Sequence, residues 1–366
     1  MELKFGKKKE EPFLVLDIGT EAVKALAIKK SNGKVFILNS SLQYFKDEGI
    51  FNRGFSEDEF EMEMIKRAVL AAKKELLIKE PISVILTLSP KVLKAKVVEG
   101  VSVREKREKK ISKKEEEIIY KYILKAAKDD VLKYNSEKSG ILPNDINFLS
   151  LDIIDKEIEG YKVPNIQNYQ GKNLSFKILT VFIINSYFQG ILKMLQDLGM
   201  KVLKTVHLAQ AVKVVFSEKV KDGVFFDIGG KAVQAFFVKA GTLESIDLFN
   251  RGGADFTERI FDVLNIDKEE ARRLKEKYSN GSLSSETENR IKEMFSNERK
   301  IWRDLFRKNQ KSSVFLFGGG SSLPEIKDMF KKRQLIDIKD LKLVEDLSKK
   351  TKSPQFVPSV LISLLP

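Results

Sequence analysis

Cysteine is absent from this chain of 366 residues, and histidine occurs once, at His207. Without cysteine there is no disulfide framework and no thiolate metal site, which points to a reducing, cytosolic setting. One histidine alone cannot build a zinc site, and every serine–histidine–acid arrangement would have to share it. His207 sits in the apolar run VHLAQAV and reads as a packing residue. Tryptophan also occurs once, at Trp302, and reads as core. Long apolar runs are missing too. The longest clean one, Ile178–Ile184, falls far short of the ~20 residues a spanning helix needs. The start, MELKFGKKKEEP, has basic residues but no apolar stretch of a secretory signal.

What is present describes a globular protein of two or more domains: 42% hydrophobic and 32% charged residues. Net charge is +14. That allows an anionic partner such as a membrane leaflet, but no zinc knuckle or aromatic-laced basic patch points to nucleic acid.

Three segments share one design, an apolar strand running into glycines. They are LVLDIGTEAVKALAI at Leu14–Ile28, GVFFDIGGKAVQAFFV at Gly223–Val238 and SVFLFGGGSSLPEI at Ser313–Ile326. The first two are near-copies about two hundred residues apart, which suggests a duplicated fold. Asp-x-Gly after a strand puts a carboxylate at the mouth of a turn whose amides can approach an anion. Two such turns face to face can grip a polyphosphate, and Asp17 with Asp227 can hold a hydrated Mg²⁺. The third turn, Gly318–Ser321, lets a flat base or sugar lie against its backbone.

Between the near-copies, Glu57–Leu77 has helical spacing. REKREKKISKKEEE, from Arg104, reads as a loop and a solvated helix face, with Ser112 opening the helix. Asn147–Ile154 and Ser175–Ile184 read as strands, and Asp152 and Asp155 as solvent-facing. Later helices are expected at Ala254–Val263, Lys268–Lys277, Glu286–Lys308 and Pro324–Phe330.

The order of phosphate turn, insertion, second phosphate turn and triple glycine resembles the actin/Hsp70-like ATPase superfamily. Within it the chain resembles the cell-division family FtsA, and next the pilus family PilM. Glu99–Ile184 is similar to the 1C subdomain of FtsA. KVLKTVHLAQA at Lys201–Ala211 and LFNRGGADFTERI at Leu248–Ile260 resemble further family segments. The resemblance implies an α/β, duplicated actin-like (ribonuclease H-like) fold with a cleft between two halves. The expected layout is a basic, flexible 1–12, a first domain over 13–90 and 185–220, an inserted α+β subdomain over 91–184, and a second domain over 221–366. A shortened helical 2B-like region falls at about 268–310.

The resemblance also implies ATP with Mg²⁺ in the cleft. Asp17, Gly19 and Thr20 form the first phosphate turn, and Asp227, Gly229, Gly230 and Lys231 the second. Gly252 and Gly253 line the phosphate side, Gly318, Gly319, Gly320 and Ser321 face the adenosine, and Lys275 meets ribose and base. Asp17 and Asp227 are the metal positions. Four positions depart from the family pattern: Lys231, Ala232 and Gln234 stand where a glycine, a threonine and an acid are usual, and Arg272 where a glutamate is. Nucleotide binding with slow or absent hydrolysis is therefore expected.

For a member of the FtsA family the implied partners are the tubulin-like FtsZ, other divisome components and further copies in filaments or dimers. The region that receives the FtsZ tail is short here, and no amphipathic anchor follows before Pro366, so any membrane contact is expected to be indirect. The alternative is a PilM-like scaffold holding a peptide of a membrane partner. A small-molecule kinase would need a catalytic carboxylate near the cleft, and none stands out. Either way the protein is expected in the cytoplasm, with the inner membrane face as its place of action.

Overall fold

The computed structural model describes residues 11–45, 59–76, 82–216, 221–309, 312–349, 351 and 354–365. Most of the basic start, 1–10, lies outside them.

The chain opens with strands β1 (Phe13–Ile18), β2 (Ala22–Ser31) and β3 (Lys34–Tyr44), helix α1 (Glu59–Leu76) and β4 (Ile82–Leu88). Next come β5 (Leu93–Val103), α2 (Lys113–Ser139), β6 (Ile146–Ile158), β7 (Tyr161–Lys162) and β8 (Asn173–Ile184). After α3 (Asn185–Asp197), β9 (Met200–Thr205) and α4 (Leu208–Phe216), the hairpin pattern returns in β10 (Gly223–Ile228), β11 (Val233–Lys239) and β12 (Thr242–Phe249). Helices α5 (Gly253–Leu264), α6 (Lys268–Ser279), α7 (Ser285–Met294) and α8 (Ser296–Leu305) follow. The chain closes with β13 (Ser313–Phe317), α9 (Pro324–Lys327), β14 (Lys332–Leu335), β15 (Val344–Asp346) and α10 (Val357–Ser363).

The first large sheet runs β15-β3-β2-β1-β4-β9 and the second β12-β11-β10-β13-β14. Each has an antiparallel three-stranded meander whose first strand pairs in parallel with a later one, β1 with β4 and β10 with β13. The turns match in detail: Gly19 N–H donates to Ala22 O at 3.0 Å, and Gly229 N–H to Ala232 O at 3.0 Å. β1 and β10 are apolar along nearly their whole length because both faces of each sheet are covered.

β5, β8, β6 and β7 form a third, antiparallel sheet covered on one face by α2. Ile119, Ile123, Ala127 and Val131, spaced by four, are the buried stripe of α2. Gly100 lets that stripe come close, since a Cβ there would stand 3.4 Å from Ile123 Cβ of α2. Ser112 caps the helix by accepting from Glu115 N–H, and Gly140 ends it at φ 64°. The opposite face touches the second half, where Lys162 Nζ donates to Thr242 Oγ1 at 2.8 Å and Lys177 pairs with Glu244.

Several expectations change. Arg104, read as part of a solvated charge run, is 5% exposed. Its guanidinium bonds Glu115 through both oxygens and donates to Gly171 O (2.7 Å) and Lys109 O (2.9 Å), tying the 105–112 loop down. Asp155 is nearly covered and pairs with Lys162 at 3.0 Å rather than facing solvent. The single helix expected over Glu286–Lys308 breaks at Phe295. That ring is buried between Phe256 (4.9 Å) and Tyr278 (5.5 Å), so seating it redirects the chain. α9 ends at Lys327 after one turn.

The tail also differs from the expected layout, in which 221–366 forms one domain. β15 joins the first sheet beside β3, and α10 packs against β1, β2 and α4. Every residue of α10 is buried.

Candidate functional site

A cavity of about 430 Å³ opens between the two halves. The parallel neighbours β4 and β13 leave β1 and β10 with their carboxyl ends at its floor, so both Asp-x-Gly turns point into it. Asp17, Gly19, Thr20, Asp227, Gly229, Gly230, Gly253, Lys275, Gly319 and Gly320 all line it. The turns also touch each other: Thr20 Oγ1 accepts from the Lys231 N–H at 3.0 Å, and the Glu21 side chain lies against Gly230.

The remaining expected residues stand behind this wall. Gly252 supports the second turn from the rear, where a Cβ would lie 2.0 Å from Gly230 O. The first amides of α5 are already used, with Gly253 N–H on Gly229 O (2.9 Å) and Ala254 N–H on Gly230 O (2.8 Å). Gly318 adopts φ 88°, and a Cβ there would stand 2.4 Å from Asp227 Oδ1. Ser321 is fully buried and donates to Gly318 O at 2.7 Å, which holds the triple-glycine turn shut. Lys275 lines the cavity, but its ammonium donates to Gly253 O (2.9 Å) and Thr257 Oγ1 (2.7 Å). Burial lowers its pKa, against the pull of Glu21 and Glu276. The Lys231 ammonium is buried with no hydrogen-bond partner.

Lys24 is the residue that motif reading missed. Its Nζ lies 2.9 Å from Asp17 Oδ2. Burial alone would lower the ammonium's pKa, but Asp17, Asp227 and Glu21 together hold it above its usual value. A signal was there to read. A turn of this length sets positions seven apart face to face, and the register pairs Asp17 with Lys24 and Asp227 with Gln234. The acid partner of Lys24 also accepts from Ser359 Oγ of α10 at 3.4 Å. Burial pushes the Asp227 carboxyl up to about 7, Asp17 adding to the rise and Lys24 opposing it.

His207 reaches the cavity from the turn before α4. Its Nδ1 accepts from Ala209 N–H at 3.0 Å, so the neutral ring carries its proton on Nε2, 3.0 Å from the Gln234 amide. The Gln234 atom that faces it is the side-chain nitrogen, and flipping that amide would turn its oxygen toward the proton. Burial lowers the ring's pKa to about 3, so it stays uncharged at neutral pH.

Two carboxylates that already share Lys24 make a poor resident metal site. Among the described residues no group of three or more His, Cys, Asp or Glu is placed to hold an ion. The Gly230 amide, Thr20 and Lys24, all on the cavity wall, make a better set for an anion of several phosphates.

Comparison with known proteins bears on the fold. No family model matches, and no curated protein matches. Among solved structures, the PilM–PilN type IV pilus biogenesis complex aligns over 97% of this chain and 98% of that one, with 16% identity and a TM-score of 0.68. The ethanolamine utilization protein EutJ from Carboxydothermus hydrogenoformans aligns over 97% and 90%, with 13% identity and a TM-score of 0.50. At such identities the likeness speaks for architecture alone: the chain has an actin-like α/β fold over nearly its whole length.

Proposed function

We propose that this protein binds ATP between its halves and works as a nucleotide-dependent scaffold in a protein assembly, on the pattern of PilM. The observation that carries this is the pair of matched turns, pinned together by Thr20 and Lys231 and facing one cavity with Lys24 between the aspartates. In this reading Thr20 and Gly230 hold phosphate oxygens, Gly19 and Gly229 let them approach the backbone, Lys24 supplies charge, and Gly319 and Gly320 face the nucleoside. Magnesium would arrive on the phosphates and shield their charge through its own waters, leaving Asp17 and Asp227 to orient those waters. Gln234 and neutral His207 occupy the floor where a hydrolase would place a base. Neither takes up a proton readily at pH 7, which favours holding ATP over cleaving it.

The scaffold role is supported by the likeness to PilM in its complex with PilN, which covers 97% of this chain and 98% of that one. A division role with FtsZ is the second reading, supported by the sequence of 99–184 alone. No described helix is long and apolar enough to cross a membrane.

Calorimetry with Mg-ATP on the wild type and on Gly319→Val tests the cleft. A valine there has room in the fold, because the nearest atom to its Cβ is 3.6 Å away, yet it fills the face offered to the nucleoside. Micromolar binding lost in the variant supports the reading, and undetectable binding in the wild type refutes it. Phosphate release at the rate of a small-molecule kinase would refute the scaffold role.

A further inference from the structure

One side of the cavity holds a cluster that the phosphate turns do not explain. Tyr44 ends β3, directly opposite Ala22 beside the first turn. Its hydroxyl donates to Glu276 Oε1 at 2.8 Å and accepts from Gln355 Nε2 at 3.1 Å. The Arg272 guanidinium stacks on the Tyr44 ring, 3.7 Å from its centroid. Arg272 and Glu276 sit one turn apart on α6, in the second half, on the face that also carries Lys275. Gln355 belongs to the tail, and it is held in place because the preceding Pro354 carbonyl accepts from Gly318 N–H at 3.2 Å. Its side chain covers Gly319, with three atoms 3.6–3.8 Å from that residue's Cβ position.

Three separate stretches of chain therefore meet over the glycine wall: the first meander, α6 and the tail. Tyr44, Arg272, Glu276 and Gln355 all line the same cavity as the phosphate turns, with Tyr44 beside the first turn and Gln355 on the glycine wall. Gln355 stands on the glycine face against which a flat base would lie. Arg272 thereby has a definite role, since its cation stacks on a tyrosine supplied from across the cleft.

We infer that Tyr44, Arg272, Glu276 and Gln355 form a latch across the nucleoside end of the cleft, so that a base and ribose bind only by displacing Gln355 from Gly319 and Tyr44 from Glu276. The inference rests on the nucleotide reading given above. The latch sets how strongly the cleft prefers a bare polyphosphate to a nucleoside triphosphate, because Gln355 stands on Gly319 and not on the Asp-x-Gly turns. It also ties nucleoside entry to the tail, since Gln355 leads directly into α10.

The test compares ATP with inorganic tripolyphosphate, both with Mg²⁺, by calorimetry on the whole chain. The proteins are the wild type, Tyr44→Phe and Gln355→Ala, with circular dichroism and melting to confirm folding. Tyr44→Phe keeps the ring and its stacking on Arg272 but deletes both hydroxyl bonds. Each net hydrogen bond contributes a factor of about three to ten, so ATP affinity should rise about three- to tenfold in either variant. Tripolyphosphate affinity should stay within about twofold of the wild type. Weaker ATP binding in Tyr44→Phe would overturn the latch and make Tyr44 a direct ligand contact. Equal gains for both ligands would overturn it too, since the cluster would then govern closure of the whole cleft. An unchanged ATP affinity in both variants would likewise sink it while leaving the nucleotide reading intact. If neither ligand binds the wild type, the nucleotide reading fails and the latch fails with it.

Discussion

Asp17 and Lys24 face each other across the first hairpin at 2.9 Å, while the same two positions of the second hairpin hold Asp227 and Gln234. The duplicated turns therefore share a single lysine between two carboxyl groups. The halves are alike in backbone and unlike in charge.

Replacing Lys24 by methionine should remove the counter-charge and leave Asp17 buried without it. A broken buried pair costs about 3–5 kcal/mol, so the urea midpoint at pH 8 should fall sharply. The loss should shrink toward pH 5, where Asp227 is protonated and one fewer charge needs compensation.

The raised Asp227 pKa has a definite sign. Its carboxyl takes up a proton on folding between about 4 and about 7, so its contribution to stability is greatest below that window and is lost as pH rises through it. Asp227→Asn should be more stable than the wild type at pH 8, by up to about 4 kcal/mol, since each tenfold change in proton affinity is worth roughly 1.4 kcal/mol. His207 works the other way: buried and neutral, it costs stability as pH falls from 6.5 toward 3. Denaturant titrations at pH 4, 6 and 8 on the wild type and Asp227→Asn would separate the two slopes.

Glycine should matter unequally within the triple run. Gly318→Ala meets both a φ of 88° and an Asp227 oxygen 2.4 Å from the new methyl, and should cost about 2 kcal/mol or more. Gly319→Ala, with nothing nearer than 3.6 Å, should leave the melting temperature almost unchanged. Equal losses at both positions would contradict this geometry.

Arg104→Ala should loosen the insertion. It strands the Gly171 and Lys109 carbonyls and unpairs Glu115, for about 3 kcal/mol. Amide exchange should quicken across 105–112 and hardly change around the cleft.

The hairpins, the glycine turns and most strands were legible because each is written locally, in apolar runs closed by Asp-x-Gly or Gly-Gly. Most of the expected turn residues line the cavity, but Lys24, Tyr44, Glu276 and Gln355 beside them were not read. Arg104 was misread because charge density in sequence says nothing about which member of a run is buried. The break at Phe295 escaped because Ile291, Phe295 and Trp302 keep helical spacing across it, and only their partners on α5 and α6 bend the chain. Tyr44 and Gln355 could not have been paired from sequence: they lie 311 positions apart and meet only once the tail has returned.

That return has a mechanical meaning. The backbone passes between the halves twice, once from α4 to β10 and again from β14 to β15, and α10 then seats itself under Asp17. Besides these two crossings, Thr20 is bonded to Lys231 and Lys177 paired with Glu244, so the halves are tied at several points around the cleft rather than hung on a bare hinge.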